Sequence, residues 1–244
     1  MEARNAVQYL KRHALFAVCM PFLLGGTPAA WAEAVEGPPG AEAKPQSSVK
    51  SPRPHLFGTI DFRRPLEKQQ NWLSVLRRNA EAPIFTDERF LTRSTTWKEL
   101  KSRAQGKPFK AMLDVVNHFW NTWPYRADKE VWGKDDFWAT PAEFLSRSGD
   151  CEDYCIAKYF TLRELGIPAD DMRIVIVRET IRGIAHAVLA VYEGQQVYIL
   201  DNLNDHVRPM RRVRNYQPVF SVNENGRWMH VKAKPMESRH GTEK

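Results

Sequence analysis

Cysteine is scarce, with three in 244 residues. That excludes a disulfide-rich scaffold, and a zinc ribbon of four cysteines is impossible. No apolar run reaches the roughly 20 residues that a membrane-spanning helix needs. The chain also lacks internal repeats, an EF-hand loop pattern and any strip of interleaved basic and aromatic residues suited to nucleic acid. What is present is ordinary for a globular chain: 43% hydrophobic and 27% charged residues. Wholesale disorder and fibrous architectures are therefore excluded. The length allows one domain with a sizeable core, or two small ones.

The N-terminus reads as a targeting segment. Arg4, Lys11 and Arg12 precede an apolar run from Ala14 to Leu24, broken by Pro21, and Ala30-Trp31-Ala32 follows. A basic region, an apolar region and an A-x-A site predict a signal peptide over residues 1–32, cleaved after Ala32. A lipoprotein signal wants a small residue before its cysteine, but Val18 precedes Cys19. Removing 1–32 takes away Arg4, Lys11, Arg12 and Glu2, so 36 basic and 29 acidic residues become 33 and 28, net +5. The mature chain keeps only Cys151 and Cys155. Export makes nucleic acid an unsuitable partner for this positive charge. An anionic envelope surface or an acidic protein suits it better.

Residues 33–54, rich in Pro, Ala, Gly, Ser and Glu, predict a disordered linker. The folded domain is expected over 55–232, with a polar tail over 233–244. Helical patterns fall at 66–78, 96–105 and 109–122, followed by a loop over 123–140 and a short helix opened by Pro141. The clearest helix starts at Asp150, an N-cap residue, with Glu152 and Asp153 at the positive end of its dipole. Gly166 suits its C′ position and Pro168 stops it. Strand patterns follow at 172–178, 185–192, 196–201, 219–222 and 228–231. Short connections imply antiparallel pairing. The expected fold class is α+β, with N-terminal helices packed on an antiparallel sheet.

Cys151 stands in the first turn of the strongest helix, where free N–H groups favour a thiolate. A thiolate catalyses only with a base and an orienting group at hand. His186 opens one strand and Asp201 closes the next. A two-residue turn at Glu193-Gly194 puts His186 directly opposite Asp201. A four-residue loop leaves them diagonal on the same face, and either arrangement keeps the side chains within reach. Read singly, Cys151 is a small buried hydrophobe, His186 a satisfied core histidine and Asp201 a turn residue before Asn202. Together they have the logic of a nucleophile, a base and an orienter. Asp150, Glu152 and Asp153 crowd Cys151 and oppose its ionisation. They either cap the helix and face water, or hold a divalent cation that cancels the penalty, with Asp128, Asp135 and Asp136 near enough in sequence to complete its shell. Cys151 and Cys155 share one helix face. A disulfide between them strains the first turn, and the alternative is a buried free thiol at Cys155. Trp120, Trp123, Trp132 and Trp138 precede Cys151, and one of them is a candidate for lining a substrate cleft or receptor contact.

The run Gly149-Asp150-Cys151-Glu152-Asp153-Tyr154, continuing through Ile156-Ala157-Lys158-Tyr159-Phe160, resembles the active-site helix of the bacterial transglutaminase-like cysteine proteinases, which include the LapG-type periplasmic proteases. Asn117, Asn121, Trp123-Pro124-Tyr125, Asp128 and Trp132 resemble the family's upstream segment. Ala185-His186 and Leu200-Asp201-Asn202 resemble its His and Asp motifs, and Pro218-Val219 and Gly226-Arg227-Trp228 also fit. Cys155 departs from the small residue usual there. The resemblance implies a papain-like fold and a catalytic triad of Cys151, His186 and Asp201. It also implies a calcium ion at Asp150 and Glu152, with Asp128 as a further ligand. It further implies cleavage of a large surface adhesin near its N-terminus, biofilm dispersal, and sequestration by an inner-membrane cyclic di-GMP receptor. Other readings are a transglutaminase-like acyl transferase, a cell-wall peptide amidase using the same triad, and a non-catalytic binding module with a degenerate triad.

Overall fold

The computed structural model describes residues 52–232, and the signal-peptide and tail expectations lie outside them. Of the expected linker, only its last residues are described, and there Arg53 pairs with Asp171 at 2.7 Å. The folded unit begins at Arg53. After a 3-10 turn at Leu56–Gly58 comes a strand, β1 (Thr59–Arg64), which the sequence pattern did not signal. Its only large apolar side chains, Ile60 and Phe62, are both exposed, so no buried face marks it. Six helices follow: α1 (Gln70–Glu81), α2 (Trp97–Ala104), α3 (Phe109–Asn121), α4 (Asp128–Val131), α5 (Pro141–Arg147) and α6 (Cys151–Glu164). The remaining strands are β2 (Met172–Glu179), β3 (Ala185–Glu193), β4 (Gln196–Asp201), β5 (Asn204–Pro209), β6 (Tyr216–Asn223) and β7 (Gly226–Lys232).

All seven strands form one antiparallel sheet in the order β1-β7-β6-β2-β3-β4-β5. The helices-first order is therefore corrected by β1, which crosses to the far edge and pairs with β7. The helix expected from residue 66 starts later, because Leu66–Lys68 forms a 3-10 turn after Pro65 before α1 begins. The expected loop over 123–140 contains α4. β5 also went unsignalled, since among its mainly polar residues only Val207 is buried.

Helix ends obey local chemistry. Thr96 and Glu99 form a capping box at α2, as do Thr140 and Glu143 at α5, where Pro141 takes the first position. α6 ends where Gly166 adopts φ 96° and Ile167 N–H bonds Leu162 O at 2.9 Å. Residues Glu152 to Leu162 of α6 are all buried, so this helix is the core axis rather than an amphipathic surface helix. One side of the sheet contributes Ile174, Leu189, Val191 and Val222 to a core shared with Trp72, Trp120, Phe144 and Ile156. Trp72 fixes the contact by donating from Nε1 to Asn223 O at 2.9 Å.

Lys158 lies inside this core. It is fully buried and its Nζ has no hydrogen-bond partner. Burial, set against the charges of Cys155, Asp201 and Asp205, brings its ammonium down to about 8. A lysine whose folded pKa is lowered costs stability fully below that value, and the cost disappears above its unfolded pKa of about 10.4. Lys158→Met is thus expected to stabilise the fold at pH 7 by on the order of 2 kcal/mol. Thermal melts at pH 7 and pH 10.5 check it, with the difference between variant and wild type shrinking at the higher pH.

Candidate active site and metal centre

α6 starts at a tightly constrained corner. Ser148 holds φ 66° and ψ −169°, a conformation that costs a non-glycine residue about 1–3 kcal/mol. Its hydroxyl donates to Pro124 O. At Gly149, an added Cβ would stand 2.0 Å from Asp153 Oδ2, so only glycine fits. Gly149 also bridges Tyr125, and Arg126 N–H bonds Gly149 O at 2.9 Å. Asp153 is a structural residue here. It is fully buried, and its carboxylate accepts from Ala139 N–H at 2.6 Å and from Asp150 N–H at 3.3 Å. These contacts aim the first turn of α6, with Cys151 half-buried at its tip.

The β3–β4 hairpin turns at Gly194-Gln195, with Gly194 at φ 57° and Glu193 pairing Gln196. This positive φ at the first central residue suits a hairpin turn. The two-residue turn at Glu193-Gly194 is thereby corrected. The pairing of Tyr192 with Val197 leaves His186 and Asp201 diagonal rather than opposed. They still meet: His186 Nε2 lies 2.9 Å from Asp201 Oδ1, and both are buried. An ionised carboxylate only accepts, so Nε2 carries the proton and Nδ1 is left with its lone pair.

The Asp201 carboxylate is held on both oxygens. Oδ1 also accepts from Leu203 N–H at 3.0 Å, and Oδ2 accepts from the Tyr216 hydroxyl at 2.6 Å. Burial pushes this carboxyl up, but the His186 bond and charge, the Tyr216 hydroxyl and the Leu203 N–H outweigh it and leave it below the usual carboxylate range. Asn117 and Asn121, one turn apart on α3, pin the backbone around it. Asn117 Oδ1 accepts from Asp201 N–H at 3.2 Å, and Asn121 Nδ2 donates to Asp201 O at 3.0 Å. Tyr216 was missed by sequence reasoning. No local pattern marks it, because its role depends on β6 lying one strand beyond the β2–β3 pair.

Cys151 and His186 are not hydrogen-bonded to each other. Among the described residues the Cys151 thiol donates to Glu152 Oε2 at 3.2 Å. Burial, then the charges of Glu152 and Asp150, raise the thiol well above its ordinary value. Cys155 is a free, buried thiol, so the intrahelical disulfide is not formed.

The acidic cluster is built from two segments. Asp128, from the start of α4, and Asp136 meet Asp150, Glu152 and Asp153 in overlapping groups whose ligand atoms lie within 4.8 Å of one another. Burial pushes Asp150 up to about 8, reinforced by Glu152 and Asp136. It pushes Glu152 to about 7, and Asp128 to about 6 against the hydrogen bond from Phe137 N–H. Asp128 Oδ1 and Asp150 Oδ1 are buried without a hydrogen-bond partner. An all-oxygen set with two unsatisfied buried oxygens fits a hard divalent cation. Asp135 stays outside, exposed and paired with Lys129 at 3.0 Å. Of the tryptophans, Trp120 and Trp138 are core residues. Trp132 packs tilted against Phe137 and under the Arg147 guanidinium beside the acidic loop.

The family model of bacterial transglutaminase-like cysteine proteinases matches residues 90–236. Among solved structures, Legionella pneumophila LapG is 36% identical over 55% of this chain and 75% of its own, with a TM-score of 0.49. The calcium-bound form of Legionella pneumophila LapG is 31% identical over 68% of this chain and 91% of its own, with a TM-score of 0.52. A form treated with EGTA is 36% identical over 55% of this chain and 73% of its own, with a TM-score of 0.49. A search of curated proteins found no match. The seven-stranded antiparallel sheet with its buried helix carries an α+β, papain-like fold, and the chain belongs to the bacterial transglutaminase-like cysteine proteinase family.

Proposed function

We propose that the chain is a calcium-dependent periplasmic cysteine endopeptidase that cleaves a large surface adhesin near its N-terminus. Cleavage releases the adhesin and promotes biofilm dispersal, and an inner-membrane cyclic di-GMP receptor restrains the enzyme by sequestration. Residues 1–32 serve as the cleaved export signal, 33–54 as a linker, 55–232 as the protease domain and 233–244 as a tail. The signal's three-part sequence and the family membership support this location and domain plan. Among the described residues no helix is long and apolar enough to cross a membrane.

The observation that carries the chemistry is the buried His186–Asp201 pair at 2.9 Å, in the same domain as a cysteine at a helix N-terminus. In the proposed reaction Cys151 attacks the scissile carbonyl carbon. His186 Nδ1 takes the thiol proton and returns it to the leaving amine. Asp201 fixes the imidazole tautomer and stabilises its cation, and Cys151 N–H supplies one oxyanion donor. Water then hydrolyses the thioester through the same base. Asp128, Asp150 and Glu152, with Asp136, would hold calcium. A cation held there would offset the charge of the carboxylates that oppose thiol ionisation. Calcium in the matched LapG structure and the two unpartnered oxygens here support that assignment.

The test incubates residues 33–244 with the N-terminal region of an adhesin from the same cell. It is run with calcium, with a chelator, and with Cys151→Ala. Discrete cleavage by the wild type with calcium is expected, with at least a thousand-fold loss in Cys151→Ala. Cleavage that survives the chelator removes calcium from the proposal. A higher-mass conjugate in place of two fragments identifies an acyl transferase instead.

A further inference from the structure

The residues ahead of β1 reach the Asp201 carboxylate through a single side chain. Residues 53–58 lie over the sheet as a strap. At its start Arg53 pairs with Asp171 at 2.7 Å and stands over the Tyr192 ring, 5.5 Å from its centroid. Leu56 is fully buried in a cluster with Val175, Val177, Val188 and Ala190. Those residues alternate along β2 and β3 with the ones packed on the helices, so they point to the opposite face. Where the strap ends, the buried Thr59 hydroxyl donates to Leu56 O at 2.7 Å.

Between these anchors stands Phe57, at φ 50° and ψ 33°. This is the left-handed region, which a bulky side chain rarely adopts and which persists only where surrounding contacts enforce it. Those contacts are identifiable. Phe57 N–H donates to Met210 Sδ at 3.2 Å, and the Phe57 ring stands edge-on to the Tyr216 ring, with centroids 6.2 Å apart and planes at 74°. Tyr216 also lies 5.5 Å from the His186 imidazole, and its hydroxyl donates to Asp201 Oδ2 at 2.6 Å. Backbone preference alone favours glycine at such a φ, as at the following Gly58 with φ 70°. An aromatic residue at 57 runs against that preference, and the contact it makes in return is the one with Tyr216.

We propose that Phe57 is a positioning residue for the triad, holding the Tyr216 ring so that its hydroxyl stays on Asp201. The proposal rests on the triad of the proteolytic reading and extends it to a segment ahead of residues 90–236, the part that the family model matches. Aromatic edge contacts are directional as well as apolar, so loss of the Phe57 ring frees Tyr216 to turn. A turned phenol leaves the buried Oδ2 of Asp201 without its donor.

The test uses residues 33–244 with calcium and two variants, Phe57→Gly and Tyr216→Phe, singly and combined. Glycine suits the backbone at 57, so Phe57→Gly removes the ring without forcing the strap out of place, and thermal melts check that the fold is kept. In adhesin cleavage Phe57→Gly is expected to lose about five-fold in kcat with KM unchanged. It should lose nothing further when added to Tyr216→Phe, because the hydrogen bond it supports is already gone. A side chain that only stabilises the fold would leave kcat alone or act equally in both backgrounds, and either result overturns the proposal. The second readout needs no substrate. A tyrosine hydroxyl proton held on a buried carboxylate exchanges slowly with water and gives its own downfield proton resonance, assigned as the one that Tyr216→Phe removes. In Phe57→Gly it should exchange at least about ten-fold faster, and an unchanged exchange rate overturns the positioning role. If the wild type cleaves no adhesin, the proteolytic reading falls by itself, and this resonance still decides whether Phe57 holds Tyr216.

Discussion

Asp201→Asn is expected to lower kcat by about 10^3- to 10^4-fold with little change in KM. The amide preserves the shape of the site. Its oxygen still accepts from His186 Nε2 and Leu203 N–H, and its nitrogen meets the Tyr216 oxygen, whose hydroxyl proton can rotate away. What is lost is the charge that stabilises the imidazolium. Tyr216→Phe is the milder companion, since it removes one donor from Oδ2 and leaves the carboxylate ionised. It should lower kcat by about ten-fold and move the acid limb of the kcat/KM profile upward, because one of the groups holding Asp201 down is gone. The linkage has a definite sign. A carboxyl held below its unfolded pKa stabilises the fold above that pKa, and this is lost as pH falls through the folded value. Asp201→Asn therefore costs stability at pH 7 and little near pH 2. A pH–rate series with thermal melts on both variants measures all of this. A KM effect alone, or an unmoved acid limb in Tyr216→Phe, contradicts it.

How much of this site the sequence disclosed depends on how local the signal was. The start of α6 at Asp150 and its end at Gly166 were legible because capping chemistry acts within a few residues. The strands carrying His186 and Asp201 were legible because both are continuous apolar runs flanked by turns. Their register was not, since the position of the Gly194 turn decides between direct and diagonal pairing. The acids of the candidate metal site were visible by type. Sorting Asp136 from Asp135 required the fold, because neighbours in sequence point to different places. Tyr216 and the Asn117–Asn121 clamp were out of reach as positioning groups. Their partners lie 15, 84 and 80 residues away, and no pattern in one segment encodes a contact with another. β1 and β5 were hidden for a different reason: edge strands that bury little carry no strong alternation.

The second large effect concerns the acidic cluster. Calcium is expected to raise the melting temperature by about 5–10 °C at pH 8 when present at roughly a hundred times its Kd, and by much less at pH 5.5. Asp150, Glu152 and Asp128 are pushed up to about 8, 7 and 6 without metal, principally by burial, with the charges of Glu152 and Asp136 adding to it at Asp150, of Asp153 at Glu152, and of Asp150 and Asp136 at Asp128. A carboxyl whose folded pKa is raised destabilises the fold as pH rises from its unfolded pKa to the folded one. The chelated protein should therefore lose stability steadily between about pH 4 and 8. Calcium requires these groups ionised, so its binding releases protons and strengthens with pH. The two melting curves should diverge as pH rises. Asp150→Asn separates charge from shape: it removes the most strongly perturbed of these carboxyls, so the chelated variant should melt higher than chelated wild type at pH 8 while calcium adds little to it. Parallel melting curves with and without calcium across pH 5.5 to 8, or full calcium stabilisation in Asp150→Asn, would place the ion elsewhere. The same ionisation matters for the thiol. The Glu152 carboxylate accepts a hydrogen bond from the Cys151 thiol. Engaging that carboxylate with a cation would free the thiol for His186, the base of the proposed triad, so metal binding and nucleophile activation should share one pH dependence.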